Sequence, residues 1–346
     1  MKSPVLHFAS LSASLPRSQT QAVMDRIQDV LPRAVCRTDV FHVPVVDCDK
    51  HDLIYTANCP HEIDFLAGTI RDGQARLMVV EASDLNLPLP DGLDILCVPD
   101  RQTPFDAFLN RQGLIMDEMD PGSRIGVLGV RSKAQLSALW PDMVFRILPG
   151  GVDMAMEIHL RRSEVDGLVL PAAVAEHLGI QSIVAEIFSP EFVLPGPGQG
   201  ILVVLGLASD AEARRVLSAV HSVASEAELT AELAFRASMI QDRDLPVGAL
   251  ARVTGDQMVI VGATGRGENR ISVTGRRDEA AEVGAGLASQ ILCHGASFAD
   301  LLEAEFPDGL PPSDDTADFD DDFEVDFGKT DDAFTGEDPD PYDDAY

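Results

Sequence analysis

The sequence predicts an α/β fold, built in layers and divided into more than one domain. Three observations point there. The chain has 346 residues, more than one typical domain holds. Its hydrophobic content of 45% is enough for sizeable cores. Short apolar runs alternate with segments of helical period through the first two thirds, the pattern of helices layered on largely parallel sheets.

The elements follow in order. VLHFA (5–9), next to Pro4, suits a strand. Residues 18–31 place Ala22, Val23, Ile27 and Leu31 on one helical face, and Pro32 ends the run. Further strands fit RLMVV (76–80), DILCV (94–98), RIGVLGV (124–130), MVFRIL (143–148), GLVL (167–170), SIVAEIF (182–188) and ILVVLGLA (201–208). Helices fit 61–72, 131–139, 152–162, 172–178 and 209–222. Trp140 and the scattered methionines fall on helix faces and read as core.

After Ser222 the character changes. Ser225 and Glu228 read as a capping box ahead of Leu229, Leu233, Ala237 and Ile240. Two strands, QMVIVGA (257–263) and RISVTG (270–275), follow across a glycine-rich turn. Helices over 278–294 and 297–305 close a small separate α/β domain. The run GATGRG (262–267) lies between two strands, so it reads as a hairpin turn rather than a phosphate loop.

The net charge of −31 is extreme. Residues 311–346 hold 13 Asp and 2 Glu against 1 Lys, a low-complexity acidic tail expected to be disordered. Phe319, Phe323 and Phe327 recur there every four residues, which would align them on one face of an induced helix that a protein partner could take. The plainer reading is a solvating tail that aids solubility. The other 17 surplus negative charges lie on residues 1–310, and such a surface repels nucleic acid and anionic membranes.

Five cysteines (36, 48, 59, 97 and 293) form no CxxC pair, and their odd number argues for a reducing compartment. The start MKSPVLHFASLSASLPR reads as strand and loop, not as a signal peptide. The longest apolar run, 201–208, is far short of a membrane span. The expectation is a soluble, cytoplasmic monomer. Cys48, His51, Cys59 and His61 lie close in sequence but match no standard zinc spacing, so no metal site is assigned. No Walker loop, strand–GxGxxG–helix unit or Ser-His-Asp signature is present.

Several blocks carry a more specific signal: GLDILCVPDRQTPFDAF, RSKAQLSALWPD, ILPGGVDM, VDGLVLPAAVAEHLGI and LPGPGQG, in that order, then AELAFRASMIQDRDLPVGALA at 231–251. Together they resemble the porphobilinogen deaminase (hydroxymethylbilane synthase) family over about residues 5–305, most closely over 93–204. The resemblance implies three domains. Residues 1–98 with 200–220, and residues 99–199, would fold like type II periplasmic binding proteins. Residues 221–310 would carry a cofactor loop, with 311–346 as the acidic tail beyond them.

The resemblance also implies a chemistry. The family condenses four porphobilinogen units head to tail, with loss of ammonia, on a dipyrromethane primer held by a cysteine thioether. Each pyrrole brings two carboxylates, so the cleft needs several fixed cations, preferably Arg. The cationic intermediate needs a nearby carboxylate. The primer needs a nucleophilic sulfur.

This sequence meets those needs unevenly. Asp84 aligns with the family's catalytic aspartate; read from the residues alone, it could equally cap a turn after the 76–80 strand. The implied substrate-binding positions are Arg131, Ser83, Ser132 and His177. Of these only Arg131 keeps a cation of the cleft. Ser83 stands at the family's lysine, Ser132 at the second of two paired arginines, and His177 at or near another. Leu11 and Ala155 also stand at arginine positions, and Pro149-Gly150-Gly151 replaces an Arg-Gly-Asn. Arg101 matches with a structural role.

Arg243 stands where the resemblance places the anchoring cysteine, and it cannot form a thioether. Dipyrromethane is the cofactor expected of the family, but its attachment residue is absent. A charge-assisted hydrogen bond is worth about 1.5–3 kcal/mol, so losing about five cations weakens polycarboxylate binding by many orders of magnitude. The expectation is a family member that does not run the usual condensation, with a small anionic ligand in its cleft or a protein partner on its tail. The alternative is an active hydroxymethylbilane synthase with an unconventional primer attachment.

Overall fold

Three sheets carry the chain. The structure is a computed structural model and describes residues 4–43, 60–149, 151–239, 246–267 and 270–294. The first unit contains β1 (Val5–Leu11), α1 (Ser14–Val30), β2 (Val35–Phe41), α2 (Pro60–Arg71), β3 (Leu77–Glu81) and β4 (Leu93–Cys97). The second contains β5 (Asp106–Asn110), β6 (Arg124–Val127), α3 (Val130–Leu139), β7 (Val144–Ile147), α4 (Gly151–Glu157), β8 (Gly167–Pro171), α5 (Ala172–His177) and β9 (Val184–Ile187). The chain then returns to the first unit as β10 (Leu202–Leu207) and α6 (Ala211–Leu217). The third unit is α7 (Val223–Met239), β11 (Val247–Thr254), β12 (Gln257–Thr264), β13 (Ile271–Arg276) and α8 (Ala280–His294).

The first two sheets share one plan. Their strand orders are β2-β1-β3-β10-β4 and β7-β6-β8-β5-β9. In each, the strand next to one edge is antiparallel to both neighbours, and it is the strand that arrives from the other unit. The remaining neighbours pair in parallel, as the strand–helix alternation predicts. These are two α/β domains of the type II periplasmic-binding-protein kind. The third sheet is an antiparallel β11-β12-β13 meander.

Period-two alternation fills both faces of the first sheet. Ala9, Met78, Val80 and Val203 pack toward α2, while Phe8, Leu77, Val79 and Val204 pack toward α1 and α6. β3 is buried at all five positions, which is why it reads as an unbroken apolar run. Phe8, Phe108 and Phe235, each 0% exposed, anchor the three cores.

Several expectations need correction. α1 starts at Ser14, four residues before the predicted start, because Pro16 sits in the first turn, where its missing N–H costs nothing. The helix expected over 152–162 divides into α4 and a π-turn at Ile158–Arg162, closed by Ser163 at φ 55°. The strand expected over 124–130 ends at Val127, and Val130 opens α3. Strands β2, β5 and β11 had no counterpart in the sequence reading.

The capping box is also overturned. α7 begins at Val223, so Ser225 and Glu228 lie inside it. Ser225 Oγ accepts from the Arg101 amide (2.9 Å), and a Glu228 carboxylate oxygen accepts from the Val253 amide (3.1 Å). The 262–267 run does join two antiparallel strands. The second closing helix, the acidic tail, Cys48, His51, Cys59 and Arg243 lie outside the described residues. Among the described residues, no helix is long and apolar enough to cross a membrane.

Candidate functional site

The two segments that cross between the first and second domains meet at one point. Gln102 donates its amide to the Gly200 carbonyl at 2.8 Å. Gly200 and Gly198 both have positive φ, 74° and 83°. A Cβ at Gly200 would lie 2.9 Å from the Thr103 carbonyl oxygen, and one at Gly198 2.9 Å from the Ala82 carbonyl carbon. The tight packing of these backbones explains the glycines of LPGPGQG.

Against this loop lies the end of β3. A 3₁₀ turn, Ala82–Asp84, follows Glu81 directly. Glu81 itself keeps extended backbone as the last residue of β3, and Asp84 ends the turn three residues on. Glu81 is 1% exposed and Asp84 0%. Glu81 Oε2 accepts from Gln19 Nε2 of α1 at 3.0 Å, and Oε1 accepts from the Gly200 amide at 3.2 Å. Burial, and then the Asp84 charge, push the Glu81 carboxyl up to about 8. Arg236 of α7 grips the same turn, donating to the carbonyls of Ser83 (3.0 Å) and Leu85 (2.6 Å). Gln19 Oε1 and Ser83 Oγ are buried without a hydrogen-bond partner among the described residues.

Arg131 lies on the other side of the loop, in the first turn of α3. Its guanidinium forks onto Asp106 (2.8 and 3.1 Å) and also donates to the Leu194 carbonyl (3.0 Å) and Gln199 Oε1 (3.2 Å). Gln199 completes the knot by donating to Asp106 (2.8 Å) and the Pro104 carbonyl (2.7 Å). Ser132, beside Arg131, is buried at 6% exposure. His177, at the end of α5, has Nε2 2.9 Å from Gln102 Oε1, and burial lowers its pKa.

Arg101 is 4% exposed at its side chain and is fully engaged. It forks onto Glu232 of α7 (2.6 and 3.1 Å), donates to the Gln199 carbonyl, and sits 3.5 Å from Glu228. Its structural role, expected from the sequence, is to tie the crossovers to the third domain.

The loop therefore meets the Ser83 backbone and Arg131 directly, and His177 through Gln102, while Asp84 follows Ser83 in the turn. Leu11 and Ala155, at 3% and 0% exposure, belong to hydrophobic cores instead. Ala155 packs in the second domain's core with Leu15, which α1 of the first domain inserts there. Ser18 Oγ also donates to the His177 carbonyl (2.6 Å), fastening α1 across the seam. A groove of about 280 Å³ between α5 and β9 is lined by Ala172, Glu176, Val184 and Ile187, and none of the predicted site residues lines it.

Sequence reasoning missed Glu81, Gln19, Asp106, Gln199 and Glu232 as parts of this site. One signal was available. Glu81 is the charge that ends the apolar run RLMVV, yet it belongs to a strand buried on both faces.

Residues 6–215 match a family model described as "Porphobilinogen deaminase, dipyromethane cofactor binding domain". The chain belongs to the porphobilinogen deaminase family. The porphobilinogen deaminase of Thermus thermophilus is 36% identical over 295 residues, covering 82% of this chain and 94% of the relative. That of Roseiflexus castenholzii is 35% identical over 222 residues, covering 64% and 73%. Among solved structures, the methionine binding protein MetQ is similar at a TM-score of 0.39 and 12% identity, over 63% of this chain and 90% of that one. Ser83, Asp84, Arg131, Ser132 and His177 all fall within the span that matches the porphobilinogen deaminase model, and Arg243 falls beyond it.

Proposed function

We propose that this chain keeps the porphobilinogen deaminase fold without the family's usual reaction, the dipyrromethane-primed condensation of four porphobilinogen units. The state of Arg131 carries this reading. Its guanidinium is spent on Asp106, Gln199 and the Leu194 carbonyl. A fork occupied by the chain's own carboxylate is not available to a pyrrole acetate or propionate.

Three further observations support the reading. Leu11 and Ala155, at positions where the resemblance implies arginine, are buried apolar residues. Asp84 is fully buried and offers no carboxylate at the surface. Two of the three described thiols, Cys36 and Cys97, do not suit a thioether-anchored primer, which needs an accessible thiolate. Burial pushes the Cys97 thiol up to about 12, and burial with the nearby Asp25 also raises Cys36. Cys293 is exposed, on the last turn of α8. Arg243 stands at the position the resemblance gives to the anchoring cysteine. Cys36, Cys97 and the residue at the family's anchoring position thus do not fit a covalently held dipyrromethane.

Intact mass under denaturing conditions, before and after incubation with porphobilinogen, tests the proposal. The expected result is an unmodified mass with porphobilinogen unconsumed. Adducts in pyrrole-sized steps would overturn it and restore the reading of an active enzyme with an unconventional anchor.

A further inference from the structure

We propose that Arg236 and Arg270 are positioning residues. Through them the third domain braces the first two and holds the Asp84 turn and Arg131 at a fixed separation. Both arginines grip backbone, one in each domain. Arg236 of α7 donates to the Ser83 and Leu85 carbonyls, at 3.0 and 2.6 Å, on either side of Asp84. Arg270, just before β13, donates to the Pro190 and Glu191 carbonyls, both at 2.6 Å, and to the Phe192 carbonyl. Its Nε also donates to the Gly267 carbonyl of its own turn (3.1 Å), which orients the fork.

Each handhold is fixed within its own domain. Ala82 and Leu85 belong to the first domain's core. Phe188 and Val193 belong to the second domain's core, and they bracket the segment that Arg270 grips. Leu194 comes next. Gln135 holds it through both its amide (2.7 Å) and its carbonyl (3.1 Å), and Arg131 donates to the same carbonyl (3.0 Å). A shift of this segment therefore reaches Arg131. The span between the two arginines is stiff as well. Phe235, beside Arg236, is 0% exposed and packs with residues of β11 and β12 in the third core. Arg270 leads into β13, which pairs with β12 from Ile271 onward.

The seam under Arg270 is otherwise small. Leu194 packs with Leu250 and Ala263, and the Ala249 amide donates to the Pro195 carbonyl (2.9 Å). The first two domains also meet directly, where Leu15 enters the second core and Ser18 bonds the His177 carbonyl. One helix end and a pair of crossovers leave an axis about which the domains can turn. The brace adds an attachment to each domain and takes that freedom away.

Distances between spin labels at Asp72 of the first domain and Gln112 of the second, both exposed, read the brace in the full-length protein. Labels carried on unnatural amino acids leave the cysteines untouched. The parent should give one narrow distribution, and Arg270→Ala a broadened one. Exchange of the Ala249 amide, which crosses the same seam, should quicken about tenfold or more, the factor that one charge-assisted hydrogen bond carries. Asp210→Ala, which removes the cap of α6, should leave the distribution narrow. An unbroadened Arg270→Ala, a parent already broad, or equal broadening in Asp210→Ala would overturn the brace. Should Arg270→Ala fail to fold, Arg270→Gln takes its place with the same outcomes, since a side-chain amide has only two N–H groups for three carbonyls. These readouts do not depend on porphobilinogen turnover, so they stand or fall separately from the proposed function.

Discussion

Glu232 and Glu81 are buried alike and bonded to the same loop, yet their surroundings differ in charge. Glu232 is 0% exposed and accepts from the Gly198 amide (2.6 Å). Glu81 is 1% exposed and accepts from the Gly200 amide (3.2 Å). The difference lies in the next neighbour. Glu232 meets the fork of Arg101 and also the Ala251 amide (2.7 Å). Glu81 meets a neutral amide and faces another carboxylate. Burial alone therefore does not set a carboxylate's charge; its partner does. One residue ties the crossover to the third domain through an ion pair, and the other ties it to α1 through a neutral amide.

The most severe way to break this contrast is Glu232→Ala. It strands Arg101 in the interior and leaves two backbone amides without an acceptor. The expected loss is about 3–5 kcal/mol, the usual cost of removing one partner of a buried pair. Urea unfolding by far-UV circular dichroism measures it. A double change to apolar residues, Arg101→Met with Glu232→Leu, should recover much of the loss, because no unpaired charge remains. A Glu232→Ala protein within about 1 kcal/mol of the parent would show that Glu228, 3.5 Å from Arg101, can hold the guanidinium alone.

How far this site was legible in the sequence depends on the range of each interaction. The layered α/β class and most helices follow from periodicity, because apolar spacing is local. The strands that escaped notice are those where spacing is masked. β2 lies at a sheet edge and exposes or half-exposes every position, so VCRTDVF shows no apolar face. β5 is wholly buried yet contains Asp106 and Asn110, whose polarity is explained only by partners elsewhere. Asp84 and Arg131 stood out through family blocks, but their environments did not. Gln19 is 62 positions from Glu81, and Gly200 is 119. Arg131 read as the surviving substrate cation until Asp106 was found in its fork. The capping box failed for the same reason: Ser225 and Glu228 have the right local spacing, but they serve Arg101, Arg252 and Val253.

A smaller effect sharpens the comparison through the sign of its pH dependence. The Glu81 pKa is raised on folding, so the folded state binds the extra proton. The stability this gives is present below the unfolded carboxyl value of 4.5 and is lost as pH rises toward the folded value, about 8. The slope is at most about 1.4 kcal/mol per pH unit for one proton. Melting curves of the parent and Glu81→Gln between pH 5 and 9 should diverge, with the parent losing relative stability as pH rises. Parallel curves would remove the basis for a neutral Glu81.

Asp210 provides the opposite sign and the smallest effect. It caps α6 by accepting from the Ala213 amide (3.0 Å), and it takes the fork of Arg76 (2.8 and 3.0 Å). The Arg76 hydrogen bond holds its carboxyl below the ordinary value of 3.8. Here stability is present above the unfolded value and is lost as pH falls through the folded one. Asp210→Ala should cost about 1 kcal/mol at neutral pH, the ordinary loss of a helix cap. Asp210→Asn keeps a capping oxygen and gives up only the charge, and with Asp210 16% exposed at its side chain it should cost less. Thermal melts at neutral pH and near pH 3 should show the gap between parent and Asp210→Asn closing in acid. A gap that stayed the same in acid would mean that Arg76 is held by Glu212 instead, and that Asp210 acts as a cap alone.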